Sequence, residues 1–266
     1  MAAPLEPGAA YTALGSSFAA GPGILPVVDE AAGRSGRNYA HLVAERLGLV
    51  LTDVTRSGAV SDDLLRPGRT RTRPLRRTPV PAQLDGVTPA TRLVTLTVGG
   101  NDLGYVGGLF RAVLVNRGPG RLPVVGPRLT ARTRIVADPA AVARLTDTLT
   151  RVVESVHTTA PDARVLIVDY LTLVGPDPHP TLPLTAAQRD QAQAMAAVLT
   201  ATYRTVADRA GAELVEAAEA SRDHHAGASE PWVTGWVGRS GVSFHPNAAG
   251  MAAVADLVVD RLGARP

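Results

Sequence analysis

Apolar residues in this chain fall into short runs separated by longer stretches of helical spacing. Residues 10–15 and Arg92 to Val98 are too short for helices, the latter rich in β-branched residues, and read as buried strands, with Leu49 to Val54 a second short strand between them. Val165 to Val168 reads as a fourth strand and Glu213 to Val215 as a short fifth. Between them, Asn38 to Leu47 puts Leu42, Val43 and Leu47 on one helical face and stops at Gly48. Asp62-Asp-Leu-Leu suggests one helical turn, and Pro139 to Thr159 reads as a full helix. Thr185 to Ala210 is a long alanine-rich helix with Thr185 as N-cap and Gly211 as its stop, and Asn247 to Leu262 is the last helix. Strands alternating with helices predict an α/β fold, a central parallel sheet of about five strands with helices on both faces. No repeat of fixed period and no sharp boundary divides the chain, so residues 1–266 read as a single domain.

Three stretches interrupt that alternation. Arg66 to Gln83 is dense in proline and arginine and reads either as a solvated loop or, over residues 66–77, as an anion-attracting rim. Residues 104–134 carry many glycines, prolines and arginines and read as an excursion near the strand ends. Leu171 to Leu184 is a second proline-rich loop.

Composition narrows the function classes. Hydrophobic residues make up 45%, enough for a large core, whereas aromatics at 4% are too few for nucleic-acid stacking platforms. Every one of the 27 basic residues is arginine, which excludes a phosphate-loop lysine and a Schiff-base lysine. With no cysteine, thiolate nucleophiles, disulfides and cysteine-based zinc sites are excluded too. The first residues have neither the charged nor the apolar region of a signal peptide, and no apolar run reaches membrane-spanning length. Asp223-His224-His225 reads as a surface loop rather than a metal site, because adjacent histidines diverge on regular backbone. No Gly-x-Ser-x-Gly elbow occurs, which argues against the α/β-hydrolase fold.

Candidate chemistry gathers where strands end. The first strand runs into Gly15-Ser-Ser17, the second into Ser57-Gly58, the third into Gly99-Gly-Asn101-Asp102, and His245-Pro-Asn247 stands at the mouth of the last helix. Ligand crevices of open parallel sheets lie at those carboxyl ends. Ser17 supplies a hydroxyl, His245 a general base, and the N–H groups of Ser17 and Gly58 with the side-chain amide of Asn101 supply donors for an oxyanion.

The order of these blocks resembles the SGNH hydrolase (GDSL-type esterase/lipase) superfamily from Tyr11 to the final helix. It is most similar to actinobacterial secreted esterases and lipases in Asn38-Tyr-Ala-His-Leu, Leu96-Thr-Val-Gly-Gly-Asn-Asp and His245-Pro-Asn-Ala-Ala-Gly-Met. The resemblance implies a flavodoxin-like three-layer α/β/α sandwich and cofactor-free, metal-free ester hydrolysis through an acyl-serine. It assigns Ser17 as nucleophile, His245 as base, and Ser17, Gly58 and Asn101 as the oxyanion hole. The expected partner is a small-molecule or lipid ester; nucleic acid and stable membrane insertion are not expected, and the chain is expected to be a monomer. Secretion is implied by resemblance alone.

Three departures stand out. Ser16 replaces the aspartate of the usual Gly-Asp-Ser. The position three before the histidine, usually the acid, is Val242. The expectation is therefore a Ser17–His245 dyad oriented by the backbone carbonyl of Val242, since some family members use a main-chain carbonyl there. Ala32 and Arg56 stand where relatives carry cysteine. Ser16 and Val242 also leave open a catalytically weakened binding protein, and an acyltransferase or a phospholipase would use the same residues.

Overall fold

A computed structural model describes residues 5–73, 76–238 and 242–263. The strands are β1 (Ala10–Gly15), β2 (Val27–Asp29), β3 (Arg34–Ser35), β4 (Val50–Asp53), β5 (Gly68–Arg73), β6 (Arg76–Val80), β7 (Thr91–Thr97), β8 (Arg164–Val168) and β9 (Glu213–Val215). The helices are α1 (Ser17–Ala20), α2 (Tyr39–Leu47), α3 (Asp62–Leu65), α4 (Tyr105–Arg117), α5 (Gly126–Arg132), α6 (Pro139–Thr159), α7 (Ala186–Ala210), α8 (Ala217–Ala220) and α9 (Ala248–Leu262).

Five strands form one parallel sheet in the order β4-β1-β7-β8-β9. Parallel strands need cover on both faces, and the near-continuous apolar runs of β7 and β8 are buried accordingly. α2 packs against α9, while α6 packs against α7. The two faces are tied to the sheet by tyrosines. Tyr11 and Tyr39 reach Thr95 and Thr97 from the α2 side, and Tyr203 of α7 donates to the Val98 carbonyl. The expected α/β three-layer arrangement and its five strands are present. A cavity of about 800 Å³ lies at the amino ends of the strands, lined by Leu5, Ala10, Arg92 and Arg164, on the edge opposite the candidate chemistry.

Helix boundaries follow local capping. Asn38 accepts from the His41 N–H ahead of α2, Asp138 from Ala140 ahead of α6, and Asn247 from Gly250 ahead of α9. α7 opens with a reciprocal capping box between Thr185 and Gln188.

Two expectations about loops change. Residues 66–83 hold the antiparallel hairpin β5–β6, paired from Gly68–Val80 to Arg73–Arg76, where a loop was expected; residues 74 and 75 lie outside the described residues. Arg-Thr-Arg-Thr-Arg does alternate with period two, but both faces are polar, so no apolar periodicity marks it as strand. Residues 104–134, read only as an excursion, hold α4 and α5 around a short 3-10 turn. Of the aliphatic residues there, Leu109 and Val113 are fully buried in the core, whereas Leu114 is exposed.

Candidate active site

The carboxyl ends of β1, β4 and β7 meet at one edge of the sheet. β1 ends at Gly15, and Ser16 donates its N–H to the Thr97 carbonyl at 2.8 Å, which fixes where the next residue stands. That residue, Ser17, is buried and begins the single turn α1. His245 reaches it from the other end of the chain: its Nε2 lies 2.8 Å from Ser17 Oγ.

His245 is held from behind by main chain. Its Nδ1 lies 2.8 Å from the carbonyl oxygen of Ser243. A carbonyl only accepts, so Nδ1 carries the proton and Nε2 is free to accept from the Ser17 hydroxyl. The expectation of Val242 in this position is corrected by one residue. Phe244 adopts φ 60, left-handed and rare for a bulky residue, which folds the Ser243 carbonyl back toward the imidazole. The Val242 carbonyl instead accepts from Thr234 Oγ1 at 2.7 Å. Thr234 clasps the whole turn, because its Oγ1 also accepts the His245 N–H at 3.2 Å and its own N–H donates to the His245 carbonyl at 2.8 Å. Phe244, fully buried, holds the left-handed turn by packing its ring against the core.

Burial lowers the pKa of His245 below the usual 6.5, and the bond to the Ser243 carbonyl offsets this only in part. A carbonyl dipole does less for an imidazolium than a full carboxylate charge does.

The loops from β4 and β7 are cross-braced. Asn101 donates through Nδ2 to the Ala59 carbonyl at 2.8 Å, leaving its second amide hydrogen. Asp102 accepts the Ser61 N–H at 3.0 Å and its hydroxyl at 2.6 Å; burial raises the pKa of this carboxyl, and the Ser61 bonds partly counter it. Immediately before the braced Ala59 stands Gly58, at φ 83, a left-handed position that admits glycine freely. Among the described residues, neither the Ser17 N–H nor the Gly58 N–H donates to a protein acceptor.

Sequence reading missed Tyr170, just beyond β8. Its hydroxyl lies 3.1 Å from Ser16 Oγ and accepts the Gly100 N–H at 3.0 Å, and its ring stacks on Phe18 with centroids 4.1 Å apart. A Cβ at Gly100 would come within 2.7 Å of that ring, so the glycine is needed for close approach. Ser16, in place of the usual aspartate, thus finds a phenol partner. Ala32 and Arg56, the positions without cysteine, lie on segments joined by other bonds. Ser57 donates its N–H to the Ala32 carbonyl at 2.8 Å, and Arg34 donates to the Thr55 carbonyl at 3.1 Å and to the Asp53 carbonyl. Asp53 is itself buried, which raises its pKa, yet bonds from His41, Thr55 and Asn38 with the charge of Arg34 bring it below the ordinary value.

Residues 13–253 match the family model described as GDSL-like Lipase/Acylhydrolase family. The chain is 32% identical over 271 residues to "Lipase 2" of Streptomyces coelicolor, covering 95% of this chain and 85% of that protein. Its fold is that of phospholipase A1 from Streptomyces albidoflavus NA297, with a TM-score of 0.73 at 24% identity over 96% of this chain and 98% of that one. The extracellular lipase of Streptomyces rimosus superposes with a TM-score of 0.71 at 23% identity over 92% and 97% of the two chains. The chain belongs to the GDSL-like lipase/acylhydrolase family and is a carboxylic ester hydrolase.

Proposed function

We propose that the protein hydrolyses carboxylic esters through a Ser17–His245 dyad and an acyl-serine intermediate. The observation that carries this reading is the chain of contacts from the Ser243 carbonyl through both nitrogens of His245 to Ser17 Oγ, each 2.8 Å long. Neutral His245 accepts the hydroxyl proton at Nε2 as Ser17 Oγ bonds to the ester carbonyl carbon. The carbonyl oxygen becomes an oxyanion facing the Ser17 N–H, the Gly58 N–H and the second amide hydrogen of Asn101. Collapse of that intermediate breaks the bond to the alcohol, which takes the proton back from Nε2 and leaves acyl-Ser17. Water then repeats the sequence and frees the acid. One well-placed oxyanion donor is worth about 100- to 1000-fold in rate, so three donors can sustain turnover although a carbonyl replaces the usual acid.

Kinship with a protein named a lipase supports an ester of a lipid acyl chain as the substrate class. The test is turnover of a p-nitrophenyl ester series from acetate to decanoate, together with fluorophosphonate labelling. The wild type is expected to turn over and to label, and Ser17→Ala to do neither. Turnover that persists in Ser17→Ala, or no turnover at any chain length, overturns the reading.

A further inference from the structure

Residues 104–134 hold six arginines and no aspartate or glutamate, so the rest of the chain sets its remaining 21 arginines against all 24 carboxylates. Residues 66–83 carry six arginines and no carboxylate as well, so 104–134 is one of two strongly cationic segments. Arg111, Arg117, Arg121, Arg128, Arg132 and Arg134 are all exposed, and none forms an ion pair among the described residues. Some exposed arginines elsewhere do pair with carboxylates, as Arg46 with Asp256 and Arg204 with Glu216.

Large apolar side chains emerge between these arginines. Val124 is 75% exposed and Leu122 51%, with Phe110, Leu114 and Val125 close behind. The segment is nonetheless well anchored. α4 buries Leu109, Ala112 and Val113 on its inner face, and Asn116 donates to the Pro183 carbonyl at 2.8 Å and to Gln188 at 2.7 Å. The exposed apolar residues are thus an outer surface of a packed element, not a frayed one. Between α4 and the end of α5 lies a cavity of about 450 Å³ lined by Arg111, Arg132 and Arg134 on its polar side and by Leu114 and Val115 on its apolar side.

This surface also continues to the catalytic histidine. The Phe110 ring lies 5.1 Å from that of Trp236 and 6.5 Å from that of Phe244, the residue before His245.

We infer that the outer face of residues 105–134 docks the protein onto an anionic lipid surface, with Leu122, Val124 and Val125 entering the interface and the arginines meeting lipid headgroup charge. Apolar side chains interleaved with cations match a headgroup–acyl boundary, where each finds its own environment. A polyanion such as nucleic acid would leave Val124 and Leu122 unmatched, and Phe110 is the one exposed aromatic of the patch. The inference rests on the esterase reading only for why such a face adjoins the site.

The test separates the two. Docking is read by flotation of the full-length Ser17→Ala protein with vesicles of phosphatidylcholine alone or mixed with phosphatidylglycerol, so that no lipid is consumed. Mixed vesicles are expected to bind at least about ten-fold more tightly than neutral ones, and less so as salt rises. Leu122→Asp/Val124→Asp is expected to weaken that binding about ten-fold or more, and Arg128→Gln/Arg132→Gln to remove about 30-fold of it. With Ser17 restored, all four changes should leave p-nitrophenyl acetate turnover within about two-fold of wild type, since none of these side chains touches the dyad. Equal binding to neutral and anionic vesicles, no response to either double variant, or competition of vesicle binding by millimolar inorganic phosphate alone would overturn the inference. Loss of Ser17-dependent turnover of the soluble ester would instead count against the esterase reading.

Discussion

Ser243 acts on His245 through its main chain, so no side-chain substitution there removes the carbonyl that faces Nδ1. The group that can be tested is Thr234, whose hydroxyl holds the Val242 carbonyl and the His245 N–H together. In the proposed mechanism it is a positioning residue. Thr234→Val keeps the shape and deletes those bonds; kcat on a soluble ester is expected to fall about ten-fold with KM little changed, because misplacement of a base costs rate more than binding. Thr234→Ser, which restores the hydroxyl, should recover most of that loss, and an equal loss in both variants would reduce Thr234 to packing. The imidazole itself makes a second prediction. Burial lowers its pKa, and only the neutral form accepts a proton from Ser17, so the acid limb of kcat/KM should be centred below the ordinary 6.5. A limb centred at or above 6.5 in a pH profile would mean that a charge partner faces the ring in solution. Ser17 and His245, which meet at 2.8 Å, and the candidate donors Gly58 and Asn101 could be singled out in the sequence because each follows a strand or precedes a helix within a distinctive block. The orienting carbonyl was displaced by one residue because nothing in Val-Ser-Phe-His announces a left-handed phenylalanine. Tyr170 and Thr234 were missed because their role depends on partners far away in sequence: Tyr170 bonds Ser16, and Thr234 bonds a turn eleven residues on.

Elements with strong apolar periodicity were legible, and those built from polar contacts were not. β1, β7, α6, α7 and α9 fall where the alternation of apolar runs and caps places them, since burial on a sheet face dictates their pattern. The short ladder β2–β3 has no apolar signature: Val27 and Val28 are exposed, and its fixing to the β4 end relies on Arg34. That arginine makes a charged bond to Asp29 at 3.2 Å and caps two carbonyls at the carboxyl end of β4, immediately before the loop that carries Gly58. In this chain without cysteine, it is the main polar tie between the 29–35 segment and the 53–57 segment, together with the Ser57 to Ala32 bond. Removing it leaves largely buried carbonyls without their donor. Arg34→Ala is expected to cost about 3 kcal/mol of stability, the range for losing charge-assisted bonds at a mostly buried site, and to slow turnover by loosening the Gly58 loop. Urea unfolding read beside ester turnover checks both. A variant within about 0.5 kcal/mol of wild type would place the work on the main-chain bonds instead.

At the scale of the whole molecule, one buried carboxyl outside the dyad should contribute strongly to the pH response of folding. Asp169, at the end of β8, is buried, and burial raises its pKa to about 6 although Thr200 and the Tyr170 N–H donate to it. Nearby, the hydroxyl of Tyr105 is buried with no hydrogen-bond partner among the described residues, so this part of the core solvates charge poorly. The unfolded chain releases the Asp169 proton near the ordinary value of 3.8, while the folded chain holds it to about 6. Between those values the native state binds more protons than the unfolded state. Stability linked to this group is therefore complete below about pH 4 and declines as pH rises through 6, by up to about 3 kcal/mol for a gap of two pK units. His245 works in the opposite direction, since its lowered pKa favours folding as the unfolded histidine loses its proton toward 6.5. The raw pH profile thus mixes two slopes, and a variant is needed to separate them. Asp169→Asn keeps an oxygen for the Tyr170 N–H and an amide that can donate to the Thr200 hydroxyl, while removing the titration. Its stability relative to wild type should grow between pH 4 and pH 7, reaching a gain of about 1–3 kcal/mol, measured as the difference in urea midpoints at each pH. A difference that stays constant with pH would show that the carboxylate is solvated in the folded chain, and that the region between α7 and the β8–β9 ends admits water.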